Sequence, residues 1–260
     1  MPLKIMSLNL RLDKPDPGEG NWRVRRGAIA SLIAHYSPDL IGTQEGLPHQ
    51  LLDLHRLLPD YRSVGGDRTG TGTGEHCAIF YSPRLQCRET GDFSLSDTPE
   101  VLGSLSREWG NPVPRMVTWA VFALAGTSVT LLNTHLDYHS ATARERGAQL
   151  LRDRLGSRPA SEAYCFVTGD FNAVPASLPR QILTRRLANG IQLNDALAGL
   201  PPEQQLSFHD FTGQGSLAVD TIYFDSRLSL QAAKVESARW PEVLPSDHFP
   251  ILAEFAEPHR

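Results

Sequence analysis

The hydrophobic positions of the chain follow two different periods in turn. Residues 3–10 alternate as a strand does, with Leu3 and Ile5 on the same side. Residues 23–36 instead place Ile29 and Ile33 one helical turn apart. Both periods recur further along, so the pattern predicts strands and helices interspersed through the whole chain.

Further elements follow from the same two periods. Predicted helices cover residues 23–36, 48–58, 143–155 and 178–188. Predicted strands cover residues 3–10, 77–81, 86–93, 115–124, 128–135, 164–168, 219–224, 228–236 and 251–255, and a short apolar run covers residues 40–45. The strands on either side of Ala125-Gly126-Thr127 form a predicted hairpin.

The order of these elements is not a regular strand–helix alternation. Predicted hairpins lie beside helix crossovers, which favours two packed sheets with helices outside them. We therefore expect an α/β (α+β) fold. No internal repeat and no long linker interrupts the pattern, so residues 1–260 form a single predicted domain.

Composition narrows the class of partner. The 260 residues carry a net charge of −4, whereas a protein that binds long nucleic acid usually has a basic face. Arginines cluster in residues 23–26 and 180–186, both on predicted helices, where we expect solvated helix faces. Residues 65–74 are rich in glycine and threonine, which predicts a mobile surface loop. The alternative is that the backbone N–H groups of residues 69–74 cradle a phosphate.

The three cysteines are too few, and odd in number, for a disulfide framework. The sequence shows no signal peptide and no apolar run of transmembrane length. We therefore expect a cytoplasmic protein, and a monomer.

Acids, amides and histidines recur where the predicted strands end. Asn9 lies in the first strand and Glu45 ends the run 40–45. Asn133-Thr134-His135-Leu136-Asp137, Gly169-Asp170-Phe171-Asn172 and Ser246-Asp247-His248-Phe249-Pro250 each contain such groups. Each motif alone occurs often by chance. Together they supply the groups needed to bind a hard divalent cation and cleave a phosphate ester.

In this order the motifs resemble the endonuclease/exonuclease/phosphatase superfamily, which includes DNase I-like nucleases and inositol polyphosphate phosphatases. The resemblance runs from Ile5-Met6-Ser7-Leu8-Asn9 to Asp247-His248-Phe249-Pro250-Ile251. Residues 94–100 and 114–120 are similar to a bacterial branch of it. The resemblance implies a four-layer sandwich of two packed mixed β-sheets flanked by helices, with the site at one end of the sheets.

The metal ligands are predicted partly from chemistry and partly from the resemblance. Glu45 follows a buried run, where an ionised carboxylate needs a cation or a strong partner. The resemblance adds the Asn9 amide oxygen and the Asp247 carboxylate as further ligands. The predicted ion is Mg²⁺ (or Mn²⁺). The alternative for Glu45 is an acid at the start of the helix that begins at Pro48.

The resemblance also assigns catalytic roles. Asp170 is the candidate to orient or deprotonate the attacking water, and Asn172 is expected to hold a phosphate oxygen or to form the second face of the site. His248 faces the phosphate and Asp220 orients it, while His135 donates to an oxygen or assists the leaving group. The structural alternatives are a strand-end histidine for His135 and a turn acid for Asp220.

Arg115 is the predicted phosphate clamp in the substrate-binding site, because a guanidinium matches phosphate with two hydrogen bonds. Its alternative is a surface residue of a strand. Trp22, Trp109 and Trp240 are interpreted as core residues rather than stacking platforms. Ala218 and Thr221, around Asp220, depart from the residues common in relatives, which leaves the substrate open.

Three functions remain as hypotheses. The first is a metal-dependent hydrolase of phosphodiesters or phosphomonoesters, with a small-molecule or lipid-derived substrate favoured over nucleic acid because of the acidic charge balance. The second is a DNA-repair or RNA nuclease of the same superfamily. The third is an inert binding module that keeps the fold without the chemistry.

Overall fold

The computed structural model describes residues 1–124 and 126–258, so Ala125 of the predicted hairpin turn lies outside the described residues. The described residues form four α-helices: α1 (Trp22–Tyr36), α2 (Pro48–Leu57), α3 (Ala141–Gly156) and α4 (Leu178–Leu183). They also form twelve strands: β1 (Leu3–Asn9), β2 (Leu40–Gln44), β3 (Arg62–Val64), β4 (Ile79–Tyr81), β5 (Gln86–Ser94), β6 (Met116–Leu124), β7 (Thr127–His135), β8 (Tyr164–Asp170), β9 (Leu193–Asp195), β10 (Asp220–Asp225), β11 (Leu230–Val235) and β12 (Ile251–Phe255).

The strands make two mixed six-stranded sheets. Sheet 1 has the order β11-β12-β1-β2-β4-β3, and sheet 2 has the order β5-β6-β7-β8-β10-β9. Strands β1 and β2 are parallel in sheet 1, as are β7 and β8 in sheet 2. The remaining neighbours pair antiparallel.

Three apolar clusters show that the sheets lie face to face between two layers of helices. Leu3 and Ile5 belong to the cluster between the sheets, which also holds Phe122 and Phe166 of sheet 2. The opposite faces of the sheets pack on α1 and α2 in one outer cluster and on α3 and α4 in the other. The predicted α/β class and the four-layer sandwich are confirmed.

Several element boundaries differ from the sequence prediction. The predicted helix 178–188 ends at Leu183, and the short strands β3 and β9 were missed because three residues carry too little periodicity. The interpretation of both arginine clusters as solvated faces is wrong for Arg25 and Arg180, which are only 0% and 2% exposed. Each is instead held by buried hydrogen bonds within the fold.

Near one end of the sandwich the two sheets approach each other closely. A Cβ atom on Gly42 of β2 would lie 2.0 Å from Thr168 Oγ1 of β8, so only glycine fits there. Asn133 of β7 donates to the carbonyl oxygen of Thr43 in β2 at 2.8 Å and to that of Ala78, the residue before β4, at 3.1 Å. This contact between the sheets is therefore polar and close, unlike the apolar layer further along.

Candidate active site

The strand register brings the polar strand ends to one edge of the sandwich. Asn9 ends β1 opposite Gln44, the last residue of β2, because those strands are parallel. His135 ends β7 opposite Asp170, the last residue of β8, for the same reason. Asp220 begins the antiparallel strand β10 and is paired with Asp170. Side chains far apart in the sequence thus meet at one place.

The last motif reaches the same edge from the other direction. Strand β12 runs antiparallel to β1 with Ile251 opposite Ser7, so the residues that precede β12 lie beside the end of β1. Seven of the nine predicted site residues line a pocket of about 580 Å³: Glu45, Arg115, His135, Asp170, Asn172, Asp247 and His248. The other two, Asn9 and Asp220, are buried and bonded to pocket residues.

His248 and Asp220 form a buried ion pair. His248 Nδ1 lies 2.7 Å from Asp220 Oδ2, which also accepts a 2.6 Å hydrogen bond from Ser207 Oγ. Burial alone would lower the pKa of the imidazole, but the charge and hydrogen bond of Asp220 outweigh it and raise the pKa of His248 to about 10. His248 is therefore an imidazolium at neutral pH, with Nε2 3.8 Å from Asp170 Oδ2.

Asp170 lies at the centre of the cluster. Its Oδ2 accepts from Asn9 Nδ2 at 3.1 Å and lies 3.5 Å from His135 Nε2, and its Oδ1 accepts from the Asn172 backbone N–H at 2.9 Å. Burial, reinforced by the nearby charge of Asp220, raises the pKa of Asp170 to about 7. A carboxylate with that pKa is poised to exchange a proton near neutral pH.

His135 and Arg115 form the neighbouring wall. Burial, with the positive charges of Arg115 and His248 nearby, lowers the pKa of His135 well below its usual value, so this imidazole is neutral. Arg115 is buried, and its Nε lies 3.3 Å from Asp137 Oδ2, which holds the guanidinium at the pocket wall. The alternative of Arg115 as a surface strand residue is wrong.

Asn9 is placed to orient the two acidic groups. Its Nδ2 donates to Glu45 Oε1 at 3.0 Å as well as to Asp170, and its Oδ1 accepts from the Arg11 backbone N–H at 2.8 Å. If the Asn9 side-chain amide were flipped, its NH2 group would face the Arg11 backbone N–H, and two donors would meet. The hydrogen bonds therefore fix the orientation of the amide. Asn9 as a direct metal ligand stays a prediction.

The acidic groups fit a hard divalent cation. Glu45, His135 and Asp170 have ligand atoms within 4.8 Å of one another. Burial raises the pKa of Asp247 above its usual value, as it does for Asp170, which shows buried carboxylates short of positive charge. Oxygen-rich sites of this kind suit Mg²⁺. The second cluster shares Asp170 with the first and adds Asp220 and His248, and there the imidazolium supplies the positive charge that pairs with Asp220.

Two arginines at this edge were missed by the sequence analysis. Arg11 Nη1 lies 3.4 Å from Asp247 Oδ2. The fully buried guanidinium of Arg25 donates to carbonyl oxygens of Gly20, Arg11 and Pro245 at 2.9, 2.6 and 3.3 Å, and also to that of Leu10. Arg25 therefore joins the segment after Asn9 to the segment before Asp247.

A second groove, of about 480 Å³, lies beside β11 and includes Leu200, Lys234 and Phe249. None of the nine predicted site residues lines it. The chemistry is therefore assigned to the pocket at the strand ends.

The fold and this pocket define a two-sheet sandwich whose polar site is built from the ends of both sheets. A family model described as the endonuclease/exonuclease/phosphatase family matches residues 6–248. The chain belongs to this family, whose members are generally hydrolytic, metal-dependent phosphoesterases.

Solved structures of similar proteins agree with this assignment. An endonuclease/exonuclease/phosphatase from Bacteroides vulgatus is 27% identical, with a TM-score of 0.87 over 98% of this chain and 99% of that chain. A mannosyl-6-phosphatase from Bacteroides thetaiotaomicron is 28% identical, with a TM-score of 0.84 over 98% and 100%. TDP2 of D. rerio is 17% identical, with a TM-score of 0.77 over 98% and 99%, and shares the fold. A search among curated proteins found no significant match.

None of the helices formed by residues 1–124 and 126–258 is long and apolar enough to cross a membrane.

Proposed function

We propose that the protein is a divalent-metal-dependent phosphoesterase that cleaves a small phosphoester by attack of water. The observation that carries this proposal is geometric: ligand atoms of Glu45, His135 and Asp170 lie within 4.8 Å of one another, and Asp247 lines the same pocket. Glu45 and Asp247 would hold Mg²⁺ or Mn²⁺, and Asn9 would orient Glu45. The cation would polarise a phosphoryl oxygen and neutralise the charge that develops there.

Four side chains of the pocket supply the proton acceptor and the groups that stabilise the phosphate. Asp170 accepts the proton of the attacking water, because its carboxylate lies at the centre of the cluster, 3.5 Å from His135 Nε2 and 3.8 Å from His248 Nε2. The His248 imidazolium and the Arg115 guanidinium stabilise the non-bridging oxygens, while neutral His135 donates a hydrogen bond. As the water oxygen bonds to phosphorus, the bond from phosphorus to the leaving oxygen breaks. The leaving oxygen takes up a proton from solvent and departs as an alcohol, while Asp170 returns the proton of the attacking water to solvent.

A small substrate is favoured over nucleic acid by the charges in the pocket. Arg11, Arg68 and Arg115 each lie within ion-pair distance of a carboxylate, so they do not add up to a basic stripe. The similar mannosyl-6-phosphatase from Bacteroides thetaiotaomicron also supports a small phosphomonoester. The nuclease alternative predicts oligonucleotide binding that weakens steeply with salt.

The test is hydrolysis of p-nitrophenyl phosphate and bis(p-nitrophenyl) phosphate with Mg²⁺, with Mn²⁺ and with a chelator. We expect activity that depends on the metal and disappears with the chelator. Equal rates with and without chelator would refute the metal mechanism, and the absence of activity on all phosphoesters would favour the inert binding module.

A further inference from the structure

An ion pair on the pocket wall has no role in the chemistry proposed above. The Arg68 guanidinium makes two contacts with the Glu75 carboxylate, from Nη1 to Oε2 at 2.8 Å and from Nη2 to Oε1 at 2.6 Å. Both residues line the pocket, and their side chains are 19% and 14% exposed. The pair is therefore enclosed by the protein but reachable from the pocket.

The loop that carries this pair is built around Asp67. The Asp67 carboxylate accepts hydrogen bonds from the backbone N–H groups of Thr69 and Gly72, at 2.8 and 2.5 Å, and from the Thr69 hydroxyl. Burial favours the neutral acid, yet these hydrogen bonds lower the pKa of Asp67 to about 2. The Arg68 N–H also donates to the Glu75 carbonyl oxygen at 2.9 Å. The two side chains are thus held in place before any ligand binds.

The pair is next to the reacting centre. A small cavity is lined by both members of the pair together with Glu45, Arg115 and His135. A phosphoryl group bound at Arg115 and His135 would have the pair as its neighbour. The pair would therefore meet the part of the substrate that is esterified to the phosphate.

The chemistry of the pair selects the kind of group it would bind. A guanidinium has five N–H donors and a carboxylate about four acceptor positions, and their mutual pairing uses two of each. Donors and acceptors therefore remain side by side. Hydroxyl groups satisfy both at once, whereas Glu75 would repel a second phosphate. An alkyl chain would desolvate the ion pair and return no hydrogen bond.

We propose that Arg68 and Glu75 form a subsite that recognises the hydroxyl groups of a sugar or polyol esterified to the phosphate, an inference that rests on the phosphoesterase proposed above. Tyr138 lines the same pocket and is 62% exposed, which offers an aromatic face for the C–H groups of such a molecule.

The experiment compares E75Q and R68Q with the wild-type protein on two kinds of substrate. Glucose 6-phosphate, mannose 6-phosphate and glycerol 3-phosphate carry hydroxyl groups, and p-nitrophenyl phosphate does not. We expect kcat/KM for the best hydroxylated substrate to fall about 10–100-fold, mainly through KM, because a hydrogen bond to a charged group is lost. Rates on p-nitrophenyl phosphate should change less than about threefold, within the scatter of such measurements. The control is E100Q, which breaks the exposed ion pair with Arg154.

The possible outcomes are distinguishable. Equal losses on both kinds of substrate, with unchanged thermal unfolding, would show a general role and overturn the subsite. Unchanged selectivity in both variants would overturn it as well. If the wild-type protein hydrolyses p-nitrophenyl phosphate with Mg²⁺ but none of the hydroxylated substrates, the subsite fails and the proposed function stands. If it hydrolyses neither kind with metal, the proposed function fails and the subsite fails with it.

Discussion

Replacing Asp220 by asparagine removes the charge that stabilises the His248 imidazolium while keeping the size of the side chain. The two side chains are 2% and 7% exposed and 2.7 Å apart, so water screens their interaction little. Burial is the largest single influence on the imidazole and favours its neutral form. Without the charge of Asp220, we expect the pKa of His248 to fall from about 10 towards its ordinary value of 6.5, with only the charges of Asp170 and Asp247 left to raise it.

The size of the effect follows from this shift. One pKa unit corresponds to about 1.36 kcal/mol, so the difference between about 10 and 6.5 sets an upper bound on the order of 5 kcal/mol. The pKa of His248 is higher in the folded than in the unfolded protein. The stabilisation by the ion pair is therefore fully present below pH 6.5 and is lost as the pH rises toward 10. The stability difference between the wild type and D220N should shrink over the same range.

The assay is urea unfolding of both proteins in chelator at several pH values between 6 and 10, combined with NMR titration of the histidine ring protons. D225N is the matched control, because Asp225 is buried on the same strand but pairs with Arg227, which stays charged throughout. D225N should lose stability by an amount that does not change between pH 6 and 10. A stability loss in D220N that is equally independent of pH would refute the proposed imidazolium.

The same pair makes a kinetic prediction. D220N and H248A should each lower kcat by about 10²–10³-fold, since each removes charge stabilisation at the phosphate. The double variant should be little worse than the worse single variant, because residues that act as one unit are not additive. Full additivity would assign the two residues separate roles.

Three further predictions concern other parts of the molecule. E45Q should need about 10–100-fold more Mg²⁺ for half-maximal activity and recover at high Mg²⁺; an unchanged Mg²⁺ requirement with a lower melting temperature would make Glu45 structural. R25M should lower the free energy of unfolding by about 2–4 kcal/mol in urea, because buried carbonyl groups lose their donor, whereas R23M, at an exposed position of α1, should change it little. Iodoacetamide at pH 8 should modify Cys87 before Cys77, as followed by mass spectrometry, because burial raises the pKa of Cys77 to about 12; equal rates would contradict this.

The strand ends were predictable from sequence because the signal is local. Asp170 lies just after one apolar run, and Asp220 lies at the start of another. Each run predicts a strand, and its position in the sequence also predicts which polar group lies at the strand end. The resemblance supplied the contact between Asp220 and His248, which are 28 residues apart, and the structure brings them together. Residues 143–155 and 48–58 were likewise predicted as helices from their periodicity, with ends within two residues of those observed.

The contacts of Arg25 and Arg68 were not predictable from sequence. An arginine on a helix, such as Arg25, has the same sequence pattern whether it is solvated or buried. Arg25 is buried only because three chain segments, at Gly20, Arg11 and Pro245, leave carbonyl groups pointing at it, and the last of these is 220 residues away in sequence. Arg68 faces Glu75 only because Asp67 folds the loop between them. The composition of that loop did not reveal that one buried carboxylate, Asp67, accepts the hydrogen bonds that organise it.

The candidate site depends on the contact between the sheets as much as on its own residues. Glu45 follows a strand of sheet 1 and Asp170 ends a strand of sheet 2, so their separation is set by how closely the sheets pack. Near the candidate site, the two sheets contact each other through Gly42 against Thr168 and through the hydrogen bonds of Asn133, rather than through apolar side chains. Hydrogen bonds fix direction as well as distance, whereas apolar contacts tolerate sliding. We infer that this polar layer, and not the larger apolar core, holds the two acidic groups at the distance that the proposed metal chemistry requires.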